Sequence, residues 1–132
     1  DDMNTQNLVI GGKQIKFVLA AEYDAGDPRQ ATAVAQKLCD QKVAGVVGHL
    51  QSGTSIPASA IYAKCDLPHI TASASNPDLT KPGHKTTFRL IANDNALGAA
   101  LALFGADHLK LKSVAIGQVW KPESDSAVAK TN

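Results

Sequence analysis

The stretch that decides the fold is "GHLQSGTSIPAS", residues 48–59, which combines two glycines and a proline with several hydroxyl side chains. The apolar run "KVAGVV", residues 42–47, precedes it. A glycine-rich loop between a strand and a helix typically binds a negatively charged group. The loop therefore raises one question: whether that group is a nucleotide phosphate, a reacting acyl group or the carboxylate of a small molecule.

Strand patterns and helix patterns alternate along the chain, which predicts an α/β fold. Asp27 is suited to be the N-cap of the first helix, and Pro28 fits its first turn. Right-handed crossovers would place helices on both faces of a mostly parallel sheet, giving a three-layer sandwich. The run at 43–49 predicts a strand buried on both faces. Strands are predicted at 13–22, 43–49, 67–71, 86–90 and 112–120, and helices at 27–42, 55–65 and 93–110.

Two loops follow consecutive predicted strands, one at residues 48–55 and the other at 71–78. In parallel sheets, ligands bind beyond the carboxyl ends of the strands. We therefore expect these two loops to lie side by side and to form any binding site of the chain.

Composition excludes several classes of function. The net charge is +1 and aromatic residues make up 5%, so neither a basic patch nor a set of stacking rings is available for nucleic acid. No apolar run approaches the length of a membrane span, and residues 1–7 do not resemble a signal peptide. Cys39 and Cys65 lack metal-ligand spacing, and the sequence favours free, partly buried thiols at both positions.

The first loop has two possible enzymatic interpretations, a phosphate loop and the nucleophile loop of a hydrolase. A phosphate loop would need a lysine where Thr54 stands. A hydrolase would use Ser52, but the surrounding sequence lacks the first glycine of a nucleophile elbow. His49 and His69 are expected to be structural residues at strand ends, and Asp24 is expected to be solvated.

A carboxylate site fits the loops better, because the N-terminus of a helix binds anions without needing a cation. Ser52, Thr54 and Ser55 would form its rim, and Ser73 and Ser75 would add hydroxyl groups from the neighbouring loop. These groups suit a zwitterion with both a carboxylate and an ammonium. The alternative, that the serines only cap helices and satisfy turns, stays open at this point.

Three stretches resemble the first lobe of periplasmic branched-chain amino-acid binding proteins, the leucine/isoleucine/valine receptors of ABC importers with the type I periplasmic-binding fold. The resemblance extends over about residues 1–117. Its most specific motifs are "GHLxSGTxIPAS" and "SASNPDLT". The stretches are "IGGKQIKFVLAAEYDAGDPRQATAVAQKL", "VAGVVGHLQSGTSIPASAIYAKCDLPHITASASNPDLT" and "KTTFRLIANDN".

The resemblance implies a solute-binding protein, or one lobe of it, that recognises a branched-chain or similar aliphatic amino acid for import. It implies a periplasmic location, a membrane permease as partner, and neither catalysis, cofactor nor metal. Ser52 would bind the ligand carboxylate. The triplet of the second loop would hold the carboxylate and the ammonium. The implied ligand-binding residues are Ser52, Gly53, Thr54, Ser73, Ala74 and Ser75.

The resemblance also predicts a domain organisation, with a first-lobe unit at residues 1–91 and a crossover helix, final strand and tail at 92–132. Members of the family are more than twice this length, and the first strand of their lobe has no counterpart ahead of residue 1. Residues 113–119 loosely resemble that strand and would fill its position, in the same chain or in a strand-exchanged homodimer. Two alternatives remain, a non-binding structural or interaction lobe and a small hydrolase or nucleotide-binding enzyme.

Overall fold

The computed structural model describes residues 2–115 and residue 117. Contacts divide the chain into two compact units, Asp1–Leu97 and Gly98–Asn132. The division expected between residues 91 and 92 stays a prediction. Among the described residues, no helix is both long enough and apolar enough to cross a bilayer.

The first unit begins with a short helix and a hairpin. Helix α1 covers Asp2–Thr5, and strands β1, Val9–Ile10, and β2, Lys13–Gln14, pair antiparallel. The strand expected at 13–22 is wrong beyond Gln14, because the following residues form no ladder. The Asn4 side chain instead satisfies the backbone of Phe17, accepting from its N–H at 2.7 Å and donating to its carbonyl at 2.9 Å.

Helix α2 covers Pro28–Asp40 and confirms the first predicted helix. The Asp27 carboxylate caps it by accepting from the N–H groups of Arg29 and Gln30, at 2.7 and 2.9 Å. These bonds satisfy two donors that a helix N-terminus otherwise leaves without a partner. The helix therefore begins where the sequence predicted, and it does so because Asp27 caps it.

A three-stranded parallel sheet forms the centre of this unit, in the order β3, β4, β5. Its strands are β3, Val46–Val47, β4, His69–Thr71, and β5, Thr87–Arg89. Helix α3 covers Ser52–Lys64 and connects the first two strands. The α/β class, the parallel sheet and the three predicted strand positions are confirmed.

The core lies between the sheet and the two long helices. Full burial of a leucine side chain stabilises a fold by about 1.5–3 kcal/mol, so the buried Leu38 and Leu67 should each contribute an amount of this order. Alanines at the centre let α2 and α3 approach closely. The buried cluster consists of Ala35, Leu38, Ala58, Tyr62 and Leu67, with Val34, Cys39, Val43, Val46 and Ile61 packed against it.

Strand β3 was expected to be buried on both faces, and this expectation is wrong. Among the described residues it pairs only with β4, so it lies at an edge of the described sheet. Val47, Ile70 and Phe88 are register partners on one face, and Val47 is 87% exposed and Phe88 52% exposed. An apolar run predicts a buried strand, but it does not show whether strands lie on both sides of it. The prediction failed for this reason.

The third predicted helix is present as helix α4, Asp94–Leu103, followed by a π-helical turn, Phe104–His108. Asn93 caps it, because its side-chain oxygen accepts from the N–H of Ala96 at 2.9 Å. Leu97 and Leu101 on this helix are exposed.

The strand expected at 112–120 is wrong in its described part. Residues 112–115 and 117 belong to no strand, while 116 and 118–120 lie outside the described residues. A stretch rich in β-branched residues forms a strand only when another strand pairs with it, and no strand is described in the second unit. The idea that 113–119 complete the sheet of their own chain is therefore contradicted for 113–115 and 117.

Cys39 and Cys65 form a disulfide, so the expectation of free thiols is wrong. Cys39 lies in the last turn of α2 and Cys65 is the C-cap of α3, with Cα atoms 6.1 Å apart. The packing of the two helices brings together residues that are 26 positions apart, a distance that spacing in the sequence does not reveal.

We expect the Cys39→Ala/Cys65→Ala double variant to lose about 2–4 kcal/mol of unfolding free energy, because the cross-link restricts the unfolded chain. Urea unfolding with and without dithiothreitol measures this. Reductant should destabilise the wild type by the same amount and leave the double variant unchanged. An unchanged wild-type transition in reductant would contradict the prediction.

His69 is a titratable residue in the middle of the sheet. Its side chain is fully buried beside the rings of Tyr62 and His49, and neither ring nitrogen has a partner among the described residues. Burial lowers the pKa of His69 to about 4, and the His49 ring acts in the same direction. The backbone of Gly48 opposes this shift, but no hydrogen bond of acceptable geometry is formed.

This shift makes stability depend on pH. Below the ordinary pKa of 6.5, the unfolded chain binds a proton at His69, whereas the folded chain binds it only near pH 4. We therefore expect full stability above about pH 6.5 and a loss of roughly 2–3 kcal/mol as the pH falls toward 4. Urea unfolding across this range should show a shallower loss for His69→Phe. His108→Phe, at an exposed position, should retain the wild-type slope.

Candidate functional site

Two loops meet beyond the carboxyl ends of β3 and β4, as the alternation of strands and helices predicted. The Ser73 hydroxyl donates to the carbonyl of Leu50 at 2.6 Å. The N–H of Asn76 donates to Oγ of Ser52 at 3.2 Å. These bonds confirm that the two loops lie side by side.

Thr71, the last residue of β4, is the hub of this arrangement. Its hydroxyl donates to the carbonyl of His49 at 2.9 Å and accepts from the N–H groups of Ser73 and Ala74, at 3.3 and 3.2 Å. The side chain is fully buried. The sequence interpretation missed this residue, although a hydroxyl at the end of a strand, directly before a serine-rich loop, was the available signal.

Helix α3 begins three residues earlier than predicted. Gln51 is its N-cap, and the Gln51 side chain forms no capping bond. The Gln51 carbonyl accepts from the N–H groups of Thr54 and Ser55, at 3.3 and 2.9 Å. Within the described part of the chain, the N–H groups of Ser52 and Gly53 have no partner. The helix thus presents two unpaired donors at the positive end of its dipole.

The predicted site residues of α3 differ in what they offer. Ser52 is half-buried, and because its oxygen accepts from Asn76, its hydroxyl hydrogen is free to donate outward. Gly53 faces open space, since nothing lies within 4 Å of the position of an added Cβ. Thr54 is turned inward: it is 1% exposed, and its hydroxyl donates to the Gln51 carbonyl at 2.9 Å.

The predicted residues of the second loop also differ. Ser73 is exposed, with its hydroxyl engaged by Leu50, and Ala74 is fully buried. Ser75 is half-buried, and its carbonyl accepts from the N–H of Asp94 at 2.9 Å. The structure brings Ser52, Gly53, Ser73 and Ser75 to one rim, while the side chains of Thr54 and Ala74 lie beneath it.

A buried polar chain supports the first loop from below. Nδ1 of His49 lies 2.6 Å from Oδ2 of Asp24, and Nε2 lies 2.9 Å from the hydroxyl of Tyr62. The carbonyl of His49 also accepts from the Ser55 hydroxyl at 3.2 Å. The ring and the backbone carbonyl of His49 therefore both hold the first loop in place, which agrees with the structural role expected for this residue.

Asp24 is not the solvated residue that the sequence suggested, since 18% of its side chain is exposed. Burial alone would raise the pKa of Asp24. The hydrogen bonds from Gly26 and His49, together with the charge of His49, outweigh burial and lower it. Burial and the charge of Asp24 raise the pKa of Tyr62 to about 12, so the phenol remains protonated.

The geometry does not favour the hydrolase alternative. His49 uses its two ring nitrogens on Asp24 and Tyr62, and Ser52 is bonded to the N–H of Asn76. A nucleophilic serine needs a base within hydrogen-bond reach. Neither His49 nor His69 bonds to Ser52. Among the described residues, no three His, Cys, Asp or Glu side chains are placed to hold a metal ion.

Curated relatives resemble most of this chain. An amino acid binding protein of Pseudomonas aeruginosa is 40% identical over 108 residues, which is 81% of this chain and 28% of the relative. The leucine-, isoleucine-, valine-, threonine- and alanine-binding protein of the same organism is 39% identical over 107 residues, with the same coverage. The chain therefore spans less than a third of the length of these relatives.

Solved structures agree in fold. One is an ABC transporter substrate-binding protein from Desulfitobacterium hafniense in complex with Leu, with 31% identity and a TM-score of 0.69, covering 80% of this chain and 31% of the other. Another is the branched-chain amino acid transporter substrate binding protein LivJ from Streptococcus pneumoniae in complex with isoleucine. It shows 29% identity and a TM-score of 0.69, with coverage of 83% and 30%.

The matched region extends from the first residue through β5 and α4. It corresponds to a single lobe of these substrate-binding proteins, with its two loops beyond the carboxyl ends of the strands. Residues 1–116 match the model of the receptor family ligand binding region, and the chain belongs to that family.

Proposed function

We propose that this chain forms one wall of a binding site for a branched-chain or similar aliphatic amino acid, as part of a solute-binding protein that serves ABC-type import. One observation carries the proposal: the uncapped N-terminus of α3, with two unpaired N–H groups, lies beside a second loop that is rich in hydroxyl and carbonyl groups. The chain would act by binding, without catalysis and without a cofactor.

The carboxylate of the ligand would lie at the first turn of α3. The N–H groups of Ser52 and Gly53 and the hydroxyl of Ser52 can all donate to one carboxylate. Charge-assisted hydrogen bonds of this kind are stronger than neutral ones, and the helix dipole adds to them. Thr54 would contribute from beneath, since its bond to the Gln51 carbonyl shapes the turn.

The ammonium of the ligand would lie against the second loop. Ser75 offers a hydroxyl at the rim, and the bond that Ser73 donates to Leu50 shapes the surrounding backbone. Ala74 would act through its backbone, which Thr71 holds in place. The proposed ligand-binding residues are therefore Ser52, Gly53, Thr54, Ser73, Ala74 and Ser75.

The relatives support the choice of ligand. Two similar structures contain Leu and isoleucine, and one relative is named for binding leucine, isoleucine, valine, threonine and alanine. Since this chain spans under a third of those proteins, the ligand, the membrane permease as partner and the import function are proposed for it by analogy.

The disulfide bears on the compartment that we propose. Disulfides persist in oxidising compartments and are rare in the cytosol. The Cys39–Cys65 bond, together with the ABC transporter relatives, therefore supports a periplasmic location. A homodimer by strand exchange remains a prediction, to which the edge position of β3 lends support.

We expect Ser52→Ala to weaken leucine binding about 10- to 100-fold, because a hydrogen bond to a charged group contributes roughly 1.5–3 kcal/mol. Calorimetric titration with leucine, isoleucine, valine and glutamate measures this. Ser113→Ala, at an exposed serine far along the sequence, is the matched control and should bind like the wild type.

Selective binding of the aliphatic amino acids, lost in Ser52→Ala, would support the proposal. If the wild type binds none of the four ligands, the proposal fails for this chain. The non-binding structural lobe then becomes the better description.

Thr71→Val should lower the unfolding free energy by about 1–3 kcal/mol, because it leaves two N–H groups without their acceptor and removes one of the two hydroxyl donors to the His49 carbonyl. Leucine affinity should fall with it. Thr71→Ser, which keeps the hydroxyl, should recover most of both losses. Urea unfolding and calorimetry on the same samples test this. Wild-type behaviour of the valine variant would show that the hub is dispensable.

A further inference from the structure

Arg89 lies at the end of β5, and its guanidinium binds three separate stretches of backbone and side chain. One Nη donates to the carbonyl of Asn76 at 3.0 Å, and the other to the hydroxyl of Thr80 at 3.2 Å. Nε donates to the carbonyl of Ile91 at 3.2 Å. One side chain therefore holds the second loop, the turn after it and the segment that leaves the sheet.

Asn76 is the point at which this clamp reaches the candidate site. Its carbonyl accepts from Arg89, while its N–H donates to Oγ of Ser52 at the start of α3. A second connection bypasses Arg89, because the N–H of Asp94, the first residue of α4, donates directly to the carbonyl of Ser75 at 2.9 Å. Arg89 thus joins the loop at 73–76 to Ile91, while the Ser75 bond joins that loop to Asp94.

The chemistry of Arg89 suits this role better than that of a surface cation. No carboxylate pairs with it in the described part of the chain, so its charge is directed at carbonyl and hydroxyl dipoles. A guanidinium presents its donors in a rigid planar fork, whereas a lysine ammonium is a single point on a flexible stem. Only the fork can hold Asn76, Thr80 and Ile91 in fixed relative positions.

We infer that Arg89 is a positioning residue that couples the loop at 73–76 to Ile91, so that a change at Ser52 is transmitted to the peptide group between Ile91 and Ala92. That the transmitted change is ligand binding rests on the proposed function. The coupling itself does not, because it follows from the hydrogen bonds of the unliganded chain.

The test records ¹⁵N–¹H spectra of the whole chain without ligand, for the wild type, Ser52→Ala, Arg89→Met and the double variant. Ser52→Ala should shift the amide signals of Asn76, Asp94 and Ala92 in the wild-type background, since the N–H of Ala92 belongs to the same peptide group as the Ile91 carbonyl. In the Arg89→Met background it should still shift Asn76, and Asp94 through its bond to Ser75, but no longer Ala92. A merely structural role of Arg89 would not abolish this transmission.

Arg29→Met is the matched control, because Arg29 is an exposed arginine on α2 and the substitution removes the same charge. In this background Ser52→Ala should shift Ala92 as in the wild type. Should Arg89→Met not fold, Arg89→Lys takes its place and should also lose the transmission, since it keeps the charge without the fork. An equal shift of Ala92 with and without Arg89 would overturn the inference.

A second arm uses leucine as the probe. Where the wild type binds leucine, Arg89→Met should weaken the affinity roughly tenfold and remove the leucine-induced shift of Ala92, while that of Gly53 persists. A persistent Ala92 shift would overturn the inference. Where the wild type binds no leucine, the proposed function fails, and the ligand-free spectra still decide the coupling.

Discussion

The site depends on the hydrogen bond from the Thr71 hydroxyl to the carbonyl of His49. Parallel strands bring the two loops to the same edge of the sheet, but the ladder ends where the strands end. Beyond that point, the buried Thr71 hydroxyl joins them from beneath, in addition to the Ser73–Leu50 and Asn76–Ser52 hydrogen bonds, and it also satisfies two N–H groups of the second loop. Because buried polar groups are costly when unpaired, this network fixes one geometry rather than several.

The polar groups that support the site are different from those that remain available to a ligand. The ring nitrogens of His49 and the hydroxyl of Thr54 are used up inside the protein, while the first N–H groups of α3 are left for something else. A ligand that supplies acceptors there would complete the bonding of the helix. This division explains why residues of one short motif have different roles.

Local signals predicted much of the fold. The Asp27 cap, the strand ending at Thr71 and the position of the ligand loops follow from interactions within a few residues. The features that were missed are long-range. Asp24 reaches His49 across 25 positions, and Cys39 reaches Cys65 across 26, so both pairs exist only once the helices have packed. The edge position of β3 likewise depends on neighbours that a pattern within one strand cannot reveal.

The edge of the sheet at β3 governs how the isolated chain behaves in concentrated solution. The backbone N–H and C=O groups beside Val47 can pair with an extended segment of another molecule. The exposed side chains of Val47 and Phe88 add apolar surface on the same face of the sheet. A net charge of +1 provides almost no repulsion between molecules. Aggregation starting at this edge, rather than thermal unfolding, should therefore set the practical limit on purification and storage.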